Sequence, residues 1–535
     1  MLPWRLRLVV AWLAGALLLF ALGAPTAKTA ARRPHRSVLR MSLLGNLFGG
    51  GRTASGAGGA EVQNFVAPAG APSWSSLDSR LRALEPSSER QEFEMKKVGR
   101  GSANHKSNLR LFDAPDGFTP AVTLYRDSAG WCPYCEKVWL QLEEKRIPYA
   151  VVKNPLSCYG DKSSEFFRVS PSGQMPVAKI NGRVVSESNA IMRILEEEFP
   201  EHKPLLPPSD SPEAARVGPL LRLERKVFSS WFSWLTSRAG SSSGAADEMH
   251  ALLLQVDAAL AEVKGQGPYF LGAEISMVDV MFAPFLERMA ASLPYYKGFE
   301  TRSSAYPHLL GWYRAMDARP AYAGIKSDYY THVHDLPPQL GGCPPDPSSA
   351  AAAAFRAEID GGAWDVSVGA ESCLEPMLPA SAAEARRDCA RQVLDNYENI
   401  VKFACRGAGT AGAPRVRAEL ADPRAQPKLA VVPAVDFALR LTLHQLLLGA
   451  GAEAGAGAGA ASDDGAAAAA STSTSGASAE LWAQVRAQAG PGLAQDVANS
   501  LAYLRDRVGV PRDMTVHGAR QLRAHLNQAI AAVSG

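Results

Sequence analysis

Cys132-Pro133-Tyr134-Cys135 lies between two short apolar runs, and this arrangement constrains the chain more than any other feature. Ala121–Tyr125 reads as a buried strand, and a helix opens at Pro133 and runs through Val138, Leu140 and Leu142 to about Lys145. A second strand follows at Tyr149–Val152. Proline suits the first helical turn, where its missing N–H costs nothing. A thiolate at a helix start meets unpaired N–H groups and the positive end of the dipole, so Cys132 is the expected nucleophile, exposed to solvent. Cys135, one turn further in, is placed to resolve a mixed disulfide. A zinc site would need a second ligand pair, and no other Cys-x-x-Cys occurs in the sequence.

The 535 residues suggest about two to four domains. Net charge is +3, but the first sixty residues hold eight Lys or Arg and no acid, so the remaining body is mildly acidic. That balance argues against nucleic-acid binding. Seven cysteines, Cys158, Cys343, Cys373, Cys389 and Cys405 beside the motif pair, are too sparse for a disulfide scaffold and suit a reducing compartment. Arg5 and Arg7 precede an apolar run, Leu8–Leu22, shorter than the roughly 20 residues of a membrane span. A stretch rich in Arg, Ser, Ala and Gly follows to Arg52. Signal followed by transit-like segment implies a bipartite leader (residues 1–52) to the plastid stroma, with the secretory pathway as alternative and no membrane contact in the mature form. Residues 53–116 read as a flexible linker.

Further on, Gln174-Met175-Pro176-Val177 leads into a strand ending at Ile180, and Asn181-Gly182 signals a hairpin. Glu187-Ser188 opens an amphipathic helix through Ile191, Ile194 and Leu195. Strand, Cys-x-x-Cys at a helix start and strand make a thioredoxin-like redox context. Met-Pro before a strand and Glu-Ser at a helix start then resemble the glutathione site of the glutathione transferase superfamily. The resemblance implies a cis Pro176, backbone bonds from Met175, and Glu187 and Ser188 gripping the γ-glutamyl end. It also implies Lys162 near the glycine carboxylate and Pro133 beside the tripeptide. Glutathione enters as co-substrate, and no metal is expected.

Residues 117–205 are thus the thioredoxin-like glutathione-binding domain and 206–335 the all-helical transferase domain. Leu220, Leu223, Val227, Trp231 and Trp234 form its core stripe, and Ser276 and Asp279 a capping box between Ile275 and Val280. Residues 336–535 are a mainly helical C-terminal extension with a low-complexity insert at 449–476 that cannot bury a core. With no catalytic set of its own, the extension reads as a small helical domain packing on the transferase body, whose removal near Gly342 is expected to leave the thiol chemistry detectable but to lower stability or change oligomeric state. Cysteine at the active position points to the thiol-transfer, glutaredoxin-like branch. Trp131–Trp139, Tyr295–Phe299, Thr331–Gln339, Tyr503–Arg507 and Val510–Met514 resemble iota-class glutathione transferases of photosynthetic organisms. His332-x-His334, read as a strand pair, is weak as a metal site and better as domain packing. The expected activity is glutathione-dependent deglutathionylation or disulfide or dehydroascorbate reduction. Its partners are glutathione and a small disulfide, quinone or glutathionylated substrate, in a chain that can form a homodimer. Two alternatives stand: a non-catalytic carrier of ligands or glutathione adducts whose extension recruits a partner, and a cluster-binding dimer at Cys132.

Overall fold

A computed structural model describes residues 65–238, 244–263, 265–362, 364, 375, 382–413, 417–457 and 464–535. The leader, residues 53–64, Cys373 and the middle of the low-complexity insert lie outside the described residues. The alternation of Val122 and Leu124, both fully buried, makes Val122–Asp127 (β2) the central strand. It pairs in parallel with Tyr149–Asn154 (β3), connected by helix Pro133–Lys145 (α3). Val177–Ile180 (β4) runs antiparallel on the other side of β2 and turns at Asn181 and Gly182, both at positive φ, into Arg183–Ser186 (β5). Leu109–Arg110 (β1) adds an antiparallel edge, giving the order β1-β3-β2-β4-β5. This is the thioredoxin-like sheet, with α3 buried along its whole length.

Helical structure follows the sheet: Pro212–Thr236, Ala245–Ala261, Met277–Lys297, Pro307–Asp317 and Tyr329–Leu340. Every residue of Met277–Lys297 is buried, so this helix is the axis of the helical half. Asp279 accepts from the Ser276 amide at 2.8 Å, the Phe270 amide at 3.1 Å and Trp312 Nε1 at 2.8 Å, so the capping box also ties down two neighbours. Of the aromatic stripe, Trp231 and Trp234 are core.

Two expectations are corrected. From Phe65 onward the supposed flexible lead-in holds helices Trp74–Leu84 (α1) and Ser87–Lys97 (α2). Ser73 and Ser76 cap the first reciprocally, and Leu77 and Leu81 sink into the core of the C-terminal extension. The second buries nothing. Ion pairs from Arg387 to Glu89 and from Arg391 to Glu85 and Glu89 hold it. Second, His332 and His334 sit on a helix, two residues apart, and therefore diverge: His332 meets Glu287 and His334 meets Asp360 and Glu419. The extension packs on the transferase body, as its apolar helical stretches lead one to expect. Its helical segments Ala382–Leu394, Tyr397–Ala404, Val432–Gly457, Asp464–Arg505 (broken at Gly490) and Val516–Ser534 bury one core with α1, and one turn of it reaches Trp131 beside the dithiol motif. The helices also enter the low-complexity tract from both sides.

Candidate active site

Cys132 is the N-cap of α3 in extended backbone, its carbonyl accepting the first helical bond from Glu136 N at 3.0 Å, and Pro133 occupies the first turn. Both thiols are free. Cys132 keeps only 7% of its surface, so the exposed sulfur expected from its position is instead enclosed. Burial, then the hydrogen bond to Cys132, pushes the Cys135 thiol well above its ordinary range.

The residue before Cys132 is tethered at both its N–H and its carbonyl. Trp131 N–H donates to Asp127 Oδ2 at 2.6 Å, while the Trp131 carbonyl accepts from Arg288 Nη2 at 2.9 Å and Gln339 Nε2 at 3.1 Å. Arg288 also bonds Glu136 Oε2 at 2.7 Å, the two side chains being 0% and 2% exposed. Burial and the neighbouring Glu287 charge push the Glu136 carboxyl up. Gln339 lies on Asp335, which accepts from Tyr159 Oη at 2.6 Å and which burial raises to about 7.

Across the sheet, the Met175–Pro176 peptide is cis, as expected, at the entry to β4. Glu187 turns β5 into helix Ser188–Glu198 (α5) at φ 68° and ψ 114°, and no side chain caps that helix. Its first N–H groups are thus left for an anionic ligand, which suits a carboxylate. Ser188 is buried and Glu187 exposed. Lys162, half-buried, donates to Ser157 Oγ at 2.7 Å, and burial lowers its pKa, with the charges of Cys158, Cys132 and Cys135 opposing.

The comparisons bear on what such an arrangement belongs to. A family model of the glutathione S-transferase N-terminal domain matches residues 131–198, and one of the C-terminal domain matches 243–315. Glutathione S-transferase DHAR2 of Arabidopsis thaliana is 31% identical over 204 residues, 38% of this chain and 86% of that protein. This chain belongs to the glutathione transferase family. The chloroplastic glutathione S-transferase DHAR3 of Arabidopsis thaliana is 33% identical over 199 residues, 37% of this chain and 70% of that protein. Among solved structures, glutathione transferase Omega 3C of Trametes versicolor is 26% identical, with a TM-score of 0.35, covering 39% of this chain and 91% of that one.

As a glutathione transferase, the chain is a glutathione-dependent transferase or oxidoreductase with glutathione as co-substrate. Most of its length lies outside these matches. One turn beyond the motif start the transferase carries a group its sequence did not flag, Lys137. This lysine is buried on α3 and donates to Asn189 Oδ1 at 2.6 Å beside Ser188. Burial brings its ammonium down to about 8, with the charges of Glu224, Cys132 and Glu187 opposing the fall. Also unflagged were Asp127, Arg288 and Gln339. Asp127 alone had a local signal, an acid ending the strand just before the motif.

Proposed function

We propose that this chain is a cysteine-type, iota-like thiol transferase in which Cys132 carries glutathione. The observation supporting it most directly is the pair of free thiols at the α3 start, with Cys135 hydrogen-bonded to Cys132. In the first step the Cys132 thiolate attacks the glutathionyl sulfur of a mixed disulfide. The S–S bond breaks, the substrate leaves as a thiolate and takes up a proton, and Cys132 holds glutathione in a disulfide. A second glutathione thiolate then attacks that sulfur, releasing oxidised glutathione and restoring Cys132. Two glutathione equivalents supply the electrons for disulfide or dehydroascorbate reduction. Through these steps Met175, Pro176, Glu187, Ser188, Pro133 and Lys162 hold the tripeptide, and the Lys137 ammonium neutralises charge between Cys132 and Glu187. Where Cys135 attacks Cys132 first, glutathione leaves as a thiolate, and two further glutathiones reopen the resulting Cys132–Cys135 disulfide, departing as oxidised glutathione. The basic leader, with a chloroplastic relative, supports delivery to the plastid.

The test is turnover of a glutathionylated substrate with a glutathione reductase readout. Cys132→Ser loses activity by about 10³-fold or more, since a hydroxyl here has neither the acidity nor the nucleophilicity of a thiol. Cys135→Ser retains activity, because one thiol plus free glutathione completes the cycle. Equal loss in both variants contradicts the monothiol route, and full activity in Cys132→Ser overturns the proposal.

A further inference from the structure

We infer that the Gly509–Arg512 turn of the C-terminal extension is a positioning element of the thiol site, acting through Trp131. The inference rests on Cys132 being the nucleophile.

Trp131 is wholly buried, and its indole N–H donates to the Val510 carbonyl at 2.8 Å, across 379 residues of sequence. That carbonyl also accepts from Ser327 Oγ, and the Val510 amide donates to Thr331 Oγ1 at 3.1 Å, so the turn is itself fixed to the helical half. The Arg512 guanidinium lies 4.8 Å from the Trp131 ring centroid, within range of a cation–π contact. Asp513 at 2.8 Å and the Arg507 carbonyl at 2.5 Å hold the guanidinium there. Gly509 leaves no room beside the ring: a Cβ there would stand 2.4 Å from Trp131 Cζ2. On Gly130, at φ 80°, a Cβ would come within 3.1 Å of Pro511 Cγ. The turn therefore packs on both residues that precede the nucleophile.

A peptide unit is planar, so the direction of the Cys132 amide follows that of the Trp131 carbonyl. Arg288 and Gln339 set that carbonyl while the indole keeps its seat, which the extension turn builds together with the Tyr159 ring, 5.2 Å away and edge-on. A displacement of the ring propagates one peptide along the chain to the helix cap that carries the sulfur. Misplacement on the order of 1 Å at a reacting group can cost about 10²-fold in rate.

Gly509→Ala in the full-length protein forces the ring to move while leaving the extension present. Gly492→Ala is the control, since a Cβ at Gly492 meets nothing within 4 Å. The readout is the rate of Cys132 alkylation by iodoacetamide across pH, resolved by peptide mass. Gly509→Ala is expected to slow alkylation at neutral pH by about tenfold and to displace the pH profile upward. Gly492→Ala changes neither. In a Trp131→Phe background, which removes the atom that clashes, Gly509→Ala adds little further loss. Arg512→Gln gives a second route should Gly509→Ala not fold. It shifts the profile in the same direction, and Arg512→Lys restores most of the rate. A folded Gly509→Ala or Arg512→Gln variant with the parent profile overturns the inference, as does an undiminished Gly509→Ala effect in the Trp131→Phe background. Alkylation reads the thiol without the proposed reaction. Absent turnover with a displaced profile therefore rejects the reaction alone, and normal turnover with an unmoved profile rejects the inference alone.

Discussion

Replacing Arg523 with Met would strand a buried charge where the extension meets the transferase body. Arg523 pairs with Asp328, the side chains being 2% and 3% exposed, and donates through Nη2 to the Val508 carbonyl at 2.6 Å. Its guanidinium also lies 4.5 Å from the Tyr330 ring and 5.4 Å from that of Trp364. Asp328 caps helix Tyr329–Leu340, accepting from Thr331 N at 3.0 Å. Burial pushes the Asp328 carboxyl up, but the charge and hydrogen bond of Arg523 and the bonds from Thr331 outweigh it and hold it low. Methionine fills much of the volume and leaves the carboxylate unpaired. Breaking one side of such a pair costs about 3–5 kcal/mol, a large part of a net stability of about 5–15 kcal/mol. The measurement is urea unfolding, read on the first transition. In the parent, the depressed Asp328 pKa adds stability above its unfolded value, lost as pH falls through the folded value. In the variant only the Thr331 bonds still oppose burial, so the pKa rises and the folded state is expected to bind the proton more tightly than the unfolded state. The deficit should therefore be smaller at pH 5 than at pH 8. Adding Asp328→Asn, which still caps Thr331, should recover all but about 1–2 kcal/mol. A deficit below about 1 kcal/mol, or one independent of pH, would refute the stranded-charge reasoning.

The other expectations are briefer. His334 touches Asp360 at 3.0 Å and also Glu419; burial lowers its pKa, but these bonds prevail and lift it to about 9. Because the folded value exceeds the unfolded one, the stability is complete below about pH 6.5 and lost as pH rises through about 9. His334→Gln should flatten that decline, by on the order of 1 kcal/mol because both carboxylates are substantially exposed, and an unchanged slope would remove His334 as its source. Ser188→Ala and Glu187→Ala should each weaken glutathione binding by about 1.5–3 kcal/mol in calorimetry while the melting temperature holds. Unaltered affinity in both would mean the tripeptide lies elsewhere.

What the sequence disclosed about the site was local. A strand of alternating apolar residues, a Pro-led helix and an Asn-Gly turn each carry their geometry within a few residues, so β2, α3, the β4–β5 hairpin and the start of α5 were legible. The spacing of Trp74, Leu77 and Leu81 was also a helical signal, but Ser, Pro and charged neighbours made the region read as linker, and α2 has no buried stripe to detect. Pro337 and Pro338 concealed the helix beneath His332 and His334, because proline inside a helix normally counts against one. The contact between Trp131 and Val510 left no local trace at all. A tryptophan before a cysteine and a Gly-Val-Pro turn look the same whether or not they meet.

That long-range contact alters what the extension is for. Leu77 and Leu81 of α1 share a core with Phe437, Leu446, Trp482, Leu501 and Leu526, while Trp74 Nε1 donates to Asp436 at 2.8 Å. The chain thus closes on itself: a segment before the thioredoxin-like sheet and helices after the transferase body form one packed unit, bracketing the thiol site. Ending the chain near Gly342 would expose α1, leave Asp328 buried without its cation and open the pocket around the Trp131 ring. Independence of the thiol chemistry from the extension, natural to expect when every attacking and binding residue lies between Cys132 and Ser188, therefore does not follow. Cys132 and its helix are local in sequence, but the tryptophan before it packs on a turn 379 residues away. Truncation would remove the extension's core and the Val510 contact to Trp131 together, so substitutions that separate the two effects are the informative ones.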